Sequence, residues 1–67
     1  MNFGQVLRQL RESKELTQEE LARRAGLNYM EISHYEAGRR KPGLDNILKL
    51  CDGLGCTPNQ LLKPKGK

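Results

Sequence analysis

The chain has 67 residues, 30% charged and 36% apolar, with a net charge of +4 and a sequence pI near 9.4. A chain this short makes one domain, and folding buries only about 60% of the surface its unfolded form exposes, so the core must be thin. Two cysteines and one histidine exclude a disulfide framework, and Cys51, Cys56 and His34 lack zinc-type spacing, so no metal and no cofactor are expected; no apolar run approaches membrane-spanning length, and the expected setting is a reducing cytoplasm, away from membranes.

In chain order, Asn2 caps a first helix that carries Phe3, Val6, Leu7 and Leu10 at helical spacing. The pattern is lost at Ser13-Lys14-Glu15. Thr17 and Glu20 then have the spacing of a capping box, with Leu16 before them as a hydrophobic staple. Leu21, Ala22 and Ala25 give this second helix its apolar face, and Gly26 stands where a left-handed terminal residue costs least. Asn28 and Glu31 repeat the cap at once, opening a third helix that turns Ile32 and Tyr35 inward and stops at Ala37-Gly38. Arg39-Arg40-Lys41-Pro42-Gly43 is a basic loop. Leu44, Ile47, Leu48, Cys51 and Leu54 mark a fourth helix, whose end Gly53 and Gly55 are expected to loosen. Thr57-Pro58-Asn59-Gln60 opens a fifth, with a threonine cap, proline at the first helical position and glutamine at the box position, followed by Leu61 and Leu62. The tail, residues 63–67, is basic, has no apolar residue and is expected to fray. Nothing alternates with period two. The prediction is an all-α, compact five-helix domain over residues 1–62, with helices packed as close neighbours.

Charge is unevenly placed. Residues 1–38 hold five Lys/Arg and six Asp/Glu, whereas residues 39–67 hold seven and two. A basic domain of this size points to a polyanionic partner. The second and third helices are separated by three or four residues around Gly26, the spacing of a helix-turn-helix, in which the second helix of the pair is presented to the major groove of DNA. With Ile32 facing the core, Tyr35 and Glu36 lie within about 60° of it at about 100° per residue. Tyr29, Met30, Ser33, His34 and Ala37 are assigned to the opposite arc, the face left for a partner.

Leu16-Thr17-Gln18-Glu19-Glu20-Leu21-Ala22, Ala25-Gly26, Ile32-Ser33, Tyr35-Glu36, Gly38 and Lys41-Pro42, with a leucine-rich helix behind them, carry a resemblance. In this joint spacing the chain, over about residues 3–62, resembles the lambda repressor/Cro-type (Xre-like) helix-turn-helix family. The resemblance implies a lambda repressor-like fold and a sequence-specific DNA-binding transcriptional regulator. It further implies a repressor that acts as a homodimer on a palindromic operator in double-stranded DNA.

The resemblance also assigns roles. Gln18 matches a residue whose amide bonds a DNA phosphate, where the positive end of a helix favours an anion. Asn28 matches a position that contacts phosphate or a base edge. Tyr29, Met30 and His34 match positions that read bases, and Arg39, Arg40 and Lys41 lie in the loop that follows the DNA backbone. Arg11 and Glu36 match a pair that forms an internal salt bridge, tying the first helix to the reading helix. This chain departs from the family at the reading positions, which elsewhere often hold Gln, Ser, Thr or Arg.

Cys51 and Cys56 are expected to be structural thiols. No nucleophile–base pair, phosphate-cradling loop or metal cluster is visible, so an enzyme is not expected. A dimer is expected to use the end of the fourth helix and the fifth, with Leu50, Leu61 and Leu62 as candidate contacts, Leu50 fitting the core equally well. The competing class is a protein–protein module, since this fold also serves adaptors and antitoxins; a protein partner is the alternative to DNA.

Overall fold

The computed structural model describes residues 2–62, and the expected tail lies outside them. Five helices follow in order: α1 (Phe3–Ser13), α2 (Gln18–Ala25), α3 (Tyr29–Ala37), α4 (Leu44–Leu54) and α5 (Pro58–Leu62). Among the described residues there is no strand, and no helix is long and apolar enough to cross a membrane.

Helices of five to eleven residues are too short to hold alone in water. Their ends are therefore closed locally. Asn2 with Gln5, Thr17 with Glu20 and Asn28 with Glu31 form complete capping boxes. In the second, the Thr17 hydroxyl accepts from the Glu20 N–H at 3.0 Å and the Glu20 carboxylate accepts from the Thr17 N–H at 2.8 Å. That backbone donor holds the Glu20 carboxyl below its ordinary pKa. Each cap contributes about 1 kcal/mol. At the other ends, Gly26, Gly38 and Gly55 take left-handed conformations. Gly26 is the one that sets the turn between α2 and α3, since a side chain there would be strained at φ 72°.

The core is built from one fully buried side chain per helix: Leu7, Leu21, Ile32, Leu50 and Leu61. Each contributes roughly 1.5–3 kcal/mol on burial. Val6, Leu16, Ala22, Ala25, Tyr35, Cys51 and Leu54 complete it, and Phe3 meets the Tyr35 ring edge-on at 6.5 Å. α2 packs on both α3 and α4, while α1 packs on α3 and α5.

Three expectations need correction. Leu44 and Leu48 are exposed. On a helical wheel Leu48 lies about 160° from Leu50, so a helix that buries Leu50 must turn Leu48 outward. Leu50 and Leu61, expected at a dimer surface, are instead fully buried in the domain itself. Gly53 does not loosen α4: it is buried, and a Cβ there would come within 3.1 Å of the Ala25 nitrogen and of Leu21, so its bareness lets α4 lie close on α2. Gly55 ends the helix, and the Cys56 N–H then returns to the Cys51 carbonyl at 3.0 Å. This closure brings the two cysteines together in the usual contact across a helix terminus. Burial, with the Cys56 thiol beside it, pushes the Cys51 thiol up to about 11.

Two contacts fix α3 against α1. Gly4 sits on the last turn of α3, where a Cβ would lie 2.6 Å from the carbonyl oxygens of both Tyr35 and Glu36. Beside it, Arg11 donates to Glu36 twice, from Nε at 2.6 Å and Nη2 at 2.9 Å. Its Nη1 donates to the Leu16 carbonyl at 2.8 Å. The two side chains are only 11% and 6% exposed. The hydrogen bonds to Glu36 raise the Arg11 pKa against the opposing effect of burial, so the guanidinium stays charged.

Gly4→Ala should therefore destabilise the domain by roughly 1–3 kcal/mol through overpacking, read from urea unfolding. An unchanged midpoint would refute the close approach. Arg11→Met strands Glu36 and should lower stability by roughly 3–5 kcal/mol, while adding Glu36→Leu to it should recover part of the loss. A single-variant loss below about 1 kcal/mol would place the pair with solvent-screened surface bridges.

Candidate nucleic-acid interface

The first turn of α2, the length of α3 and the loop after it form the surface on which the predicted residues lie. Gln18 is the first residue of α2, and its Nε2 donates to Glu36 Oε1 at 3.0 Å. One carboxylate thus holds both Arg11 and Gln18. Sequence reasoning treats Gln18 and the Arg11–Glu36 pair separately; the structure joins them into one network. Glu36 aims the Gln18 amide, and that amide has a second N–H to give to an anion at the positive end of α2.

Asn28 caps α3. Its side-chain oxygen accepts from the Glu31 N–H at 3.0 Å, and Glu31 Oε1 accepts from the Asn28 N–H at 3.1 Å. The box uses only the oxygen of the Asn28 amide, so its NH2 is the part left to donate to a phosphate or a base edge. Glu31 is a capping residue in this geometry.

Tyr29 and Met30 follow at the first two positions of α3, 45% and 55% exposed. Met30 lies opposite Ile32 on the helical wheel, as expected. Tyr29 does not: it falls about 60° from Ile32, as near as Tyr35. Its exposure comes from its place at the helix tip rather than from its angle. His34, about one turn beyond Met30, is half-buried, and its carbonyl accepts the Arg39 N–H at 2.9 Å where the chain leaves α3. Arg39, Arg40 and Lys41 are all exposed on the loop that follows.

Sequence reasoning misses Asn46. Its Nδ2 donates to the Tyr35 hydroxyl at 2.8 Å, satisfying the one polar atom of a core side chain and pinning the start of α4 to α3. The basic loop is strung between these two anchored ends. The available signal is angular: Asn46 lies about 40° from Leu50 on the wheel of α4, on the core side. Gly4 carries no such signal, because its partner carbonyls are more than thirty residues away.

Residues 7–61 match the family described as helix-turn-helix. The chain is 46% identical over 61 residues to the control protein C.BamHI of Bacillus amyloliquefaciens, an alignment covering 90% of this chain and 75% of that protein. The fold superposes with a TM-score of 0.88 on the crystal structure of the restriction-modification controller protein C.AhdI from Aeromonas hydrophila, at 44% identity over 91% of this chain and 92% of the other. It superposes equally well, TM-score 0.88 at 29% identity, on the P22 c2 repressor protein solved in complex with a synthetic operator, covering 97% and 98% of the two chains. A short turn closed by Gly26, a third helix braced by Arg11 and Glu36, and these likenesses lead to one conclusion: the chain belongs to the lambda repressor/Cro-type helix-turn-helix family of DNA-binding transcriptional regulators.

Proposed function

We propose that this protein is a sequence-specific repressor that binds double-stranded DNA as a homodimer on a palindromic operator, with residues 28–37 in the major groove. The observation that carries the reading is the Arg11–Glu36–Gln18 network, which fixes the angle of α3 and aims a phosphate donor beside its exposed N-terminal face. Phosphate contacts set register and base contacts set sequence. Gln18, Asn28, Arg39, Arg40 and Lys41 serve the first role, while Asn28, Tyr29, Met30 and His34 serve the second. Repression then needs no chemistry beyond occupancy, because a bound dimer blocks access to the DNA it covers. The likeness to a repressor solved on an operator supports this mode.

Leu44, Leu48 and Leu62 are exposed on α4 and α5, away from α3 in sequence. A homodimer joined through exposed leucines of α4 and α5 offers two reading helices to major grooves about 34 Å apart, one turn of DNA. Leu62 keeps the role expected of it, and Leu44 and Leu48 replace the buried Leu50 and Leu61.

Selection from a random duplex pool at about 150 mM salt should enrich an inverted repeat. No enrichment with folded protein would favour a protein partner instead. Affinity for the winning duplex should fall by about 10³–10⁵ between roughly 50 and 200 mM salt, the dependence of about 6–10 phosphate contacts. Gln18→Ala should weaken binding to all duplexes alike, whereas His34→Ala should change the preferred sequence; the reverse pattern would overturn the division of roles. Leu62→Glu should weaken operator binding by about tenfold or more, roughly 1.4 kcal/mol, and shift sedimentation toward the monomer. Unchanged affinity and mass would remove α5 from the interface.

A further inference from the structure

The reading helix has almost none of the groups that recognise bases through paired hydrogen bonds. Residues 29–37 contain no Arg, Lys, Asn or Gln, the side chains that bond guanine or adenine at two points. The two carboxylates of α3 are engaged within the domain: Glu31 in the cap, Glu36 by Arg11 and Gln18. What α3 offers at its exposed tip is mostly apolar surface, the Tyr29 ring and the Met30 side chain, with the Tyr29 hydroxyl able to make single rather than paired hydrogen bonds. Tyr29 and Met30 are two of the five large hydrophobic side chains exposed among the described residues, and the other three are the leucines of α4 and α5. Met30 lies opposite Ile32, turned away from the core of the described residues. The Asn28–Glu31 box closes the backbone just before both residues and so holds them in place.

The floor of the major groove presents hydrogen-bonding atoms and one apolar group, the C5 methyl of thymine. We infer that Tyr29 and Met30 read C5-methyl groups, so that the duplex is specified at the base pairs they meet by a pyrimidine methyl rather than by a hydrogen-bond pattern. This rests on α3 entering the major groove, and it names the chemical group taken there. Uracil, which is thymine without the methyl, falls outside the ligand class. 5-Methylcytosine, with the same methyl on the same ring carbon, falls inside it, which makes binding sensitive to cytosine methylation at those positions.

Each methyl withdrawn from water is worth about fourfold in affinity, and a symmetric pair in two half-sites about fifteenfold. The test starts from two random duplex pools, one synthesised with thymine and one with uracil throughout. The thymine pool should enrich an inverted repeat with thymine fixed at one or two positions per half-site, and the uracil pool should not fix them. In the winning duplex, replacing one such thymine by uracil should weaken binding about fourfold. Replacing that base pair by C·G should weaken it further, and methylating the cytosine should recover about fourfold. Met30→Ala or Tyr29→Ala should abolish the thymine–uracil difference at one position each while leaving the salt dependence and the helical circular dichroism intact. Equal affinity for thymine and uracil at every position of a well-bound duplex would overturn the inference and leave the regulator standing. A folded protein that enriches nothing from either pool would overturn the major-groove reading, and this inference with it.

Discussion

Arg11 and Glu36 are far apart in the chain and almost wholly shielded from water, so their pairing constrains where everything else can lie. A charged pair out of water is favourable only when its geometry is good and its remaining hydrogen-bonding groups are used. Here the guanidinium reaches both carboxylate oxygens and the Leu16 carbonyl, and the carboxylate also takes the Gln18 amide. The network thereby joins α1, the turn before α2, the first residue of α2 and the last turn of α3. In a core with only five fully buried side chains and so little apolar area, such directional contacts do what bulk burial does in larger proteins. They choose one angle for α3 among the several that a small hydrophobic centre would tolerate.

That choice shapes the chemistry of the exposed surface. α3 carries no permanent positive charge, and its two carboxylates are turned to internal tasks. Cations stand beside the helix, on the Arg39–Lys41 loop, and the oriented amides stand at the tips of α2 and α3. In the proposed mode, attraction to a polyanion and discrimination along it fall to different segments: long-range charge brings a duplex in, and short-range contact at the tip of α3 judges it.

Much of this was legible in the residues themselves. Helix starts follow from side chains that bond their own backbone, so Thr17 with Glu20 and Asn28 with Glu31 can be read directly, and the glycines at 26 and 38 mark the stops. The Arg11–Glu36 pair came from family resemblance, supported by the angle of Glu36. The angular pattern misled where a helix has leucines on more than one side: Leu44 and Leu48 follow Leu50 in composition but not in direction. It also gave the wrong reason for Tyr29, which a wheel puts near the core and a helix end leaves outside. Gly4, Gly53 and Asn46 were not seen because their roles exist only between helices that are remote in sequence. Local rules reveal elements and caps, whereas close approaches between elements depend on the assembled shape.

The end of α4 has one more consequence. Cys51 is buried in the last turns of α4, and its proton is held so firmly that little thiolate exists at neutral pH. A thiol-directed reagent can reach it only when that helix end opens. The rate at which Cys51 becomes modified is therefore a clock for local opening at the end of α4. The protein carries its own probe of its breathing motions, with no added label.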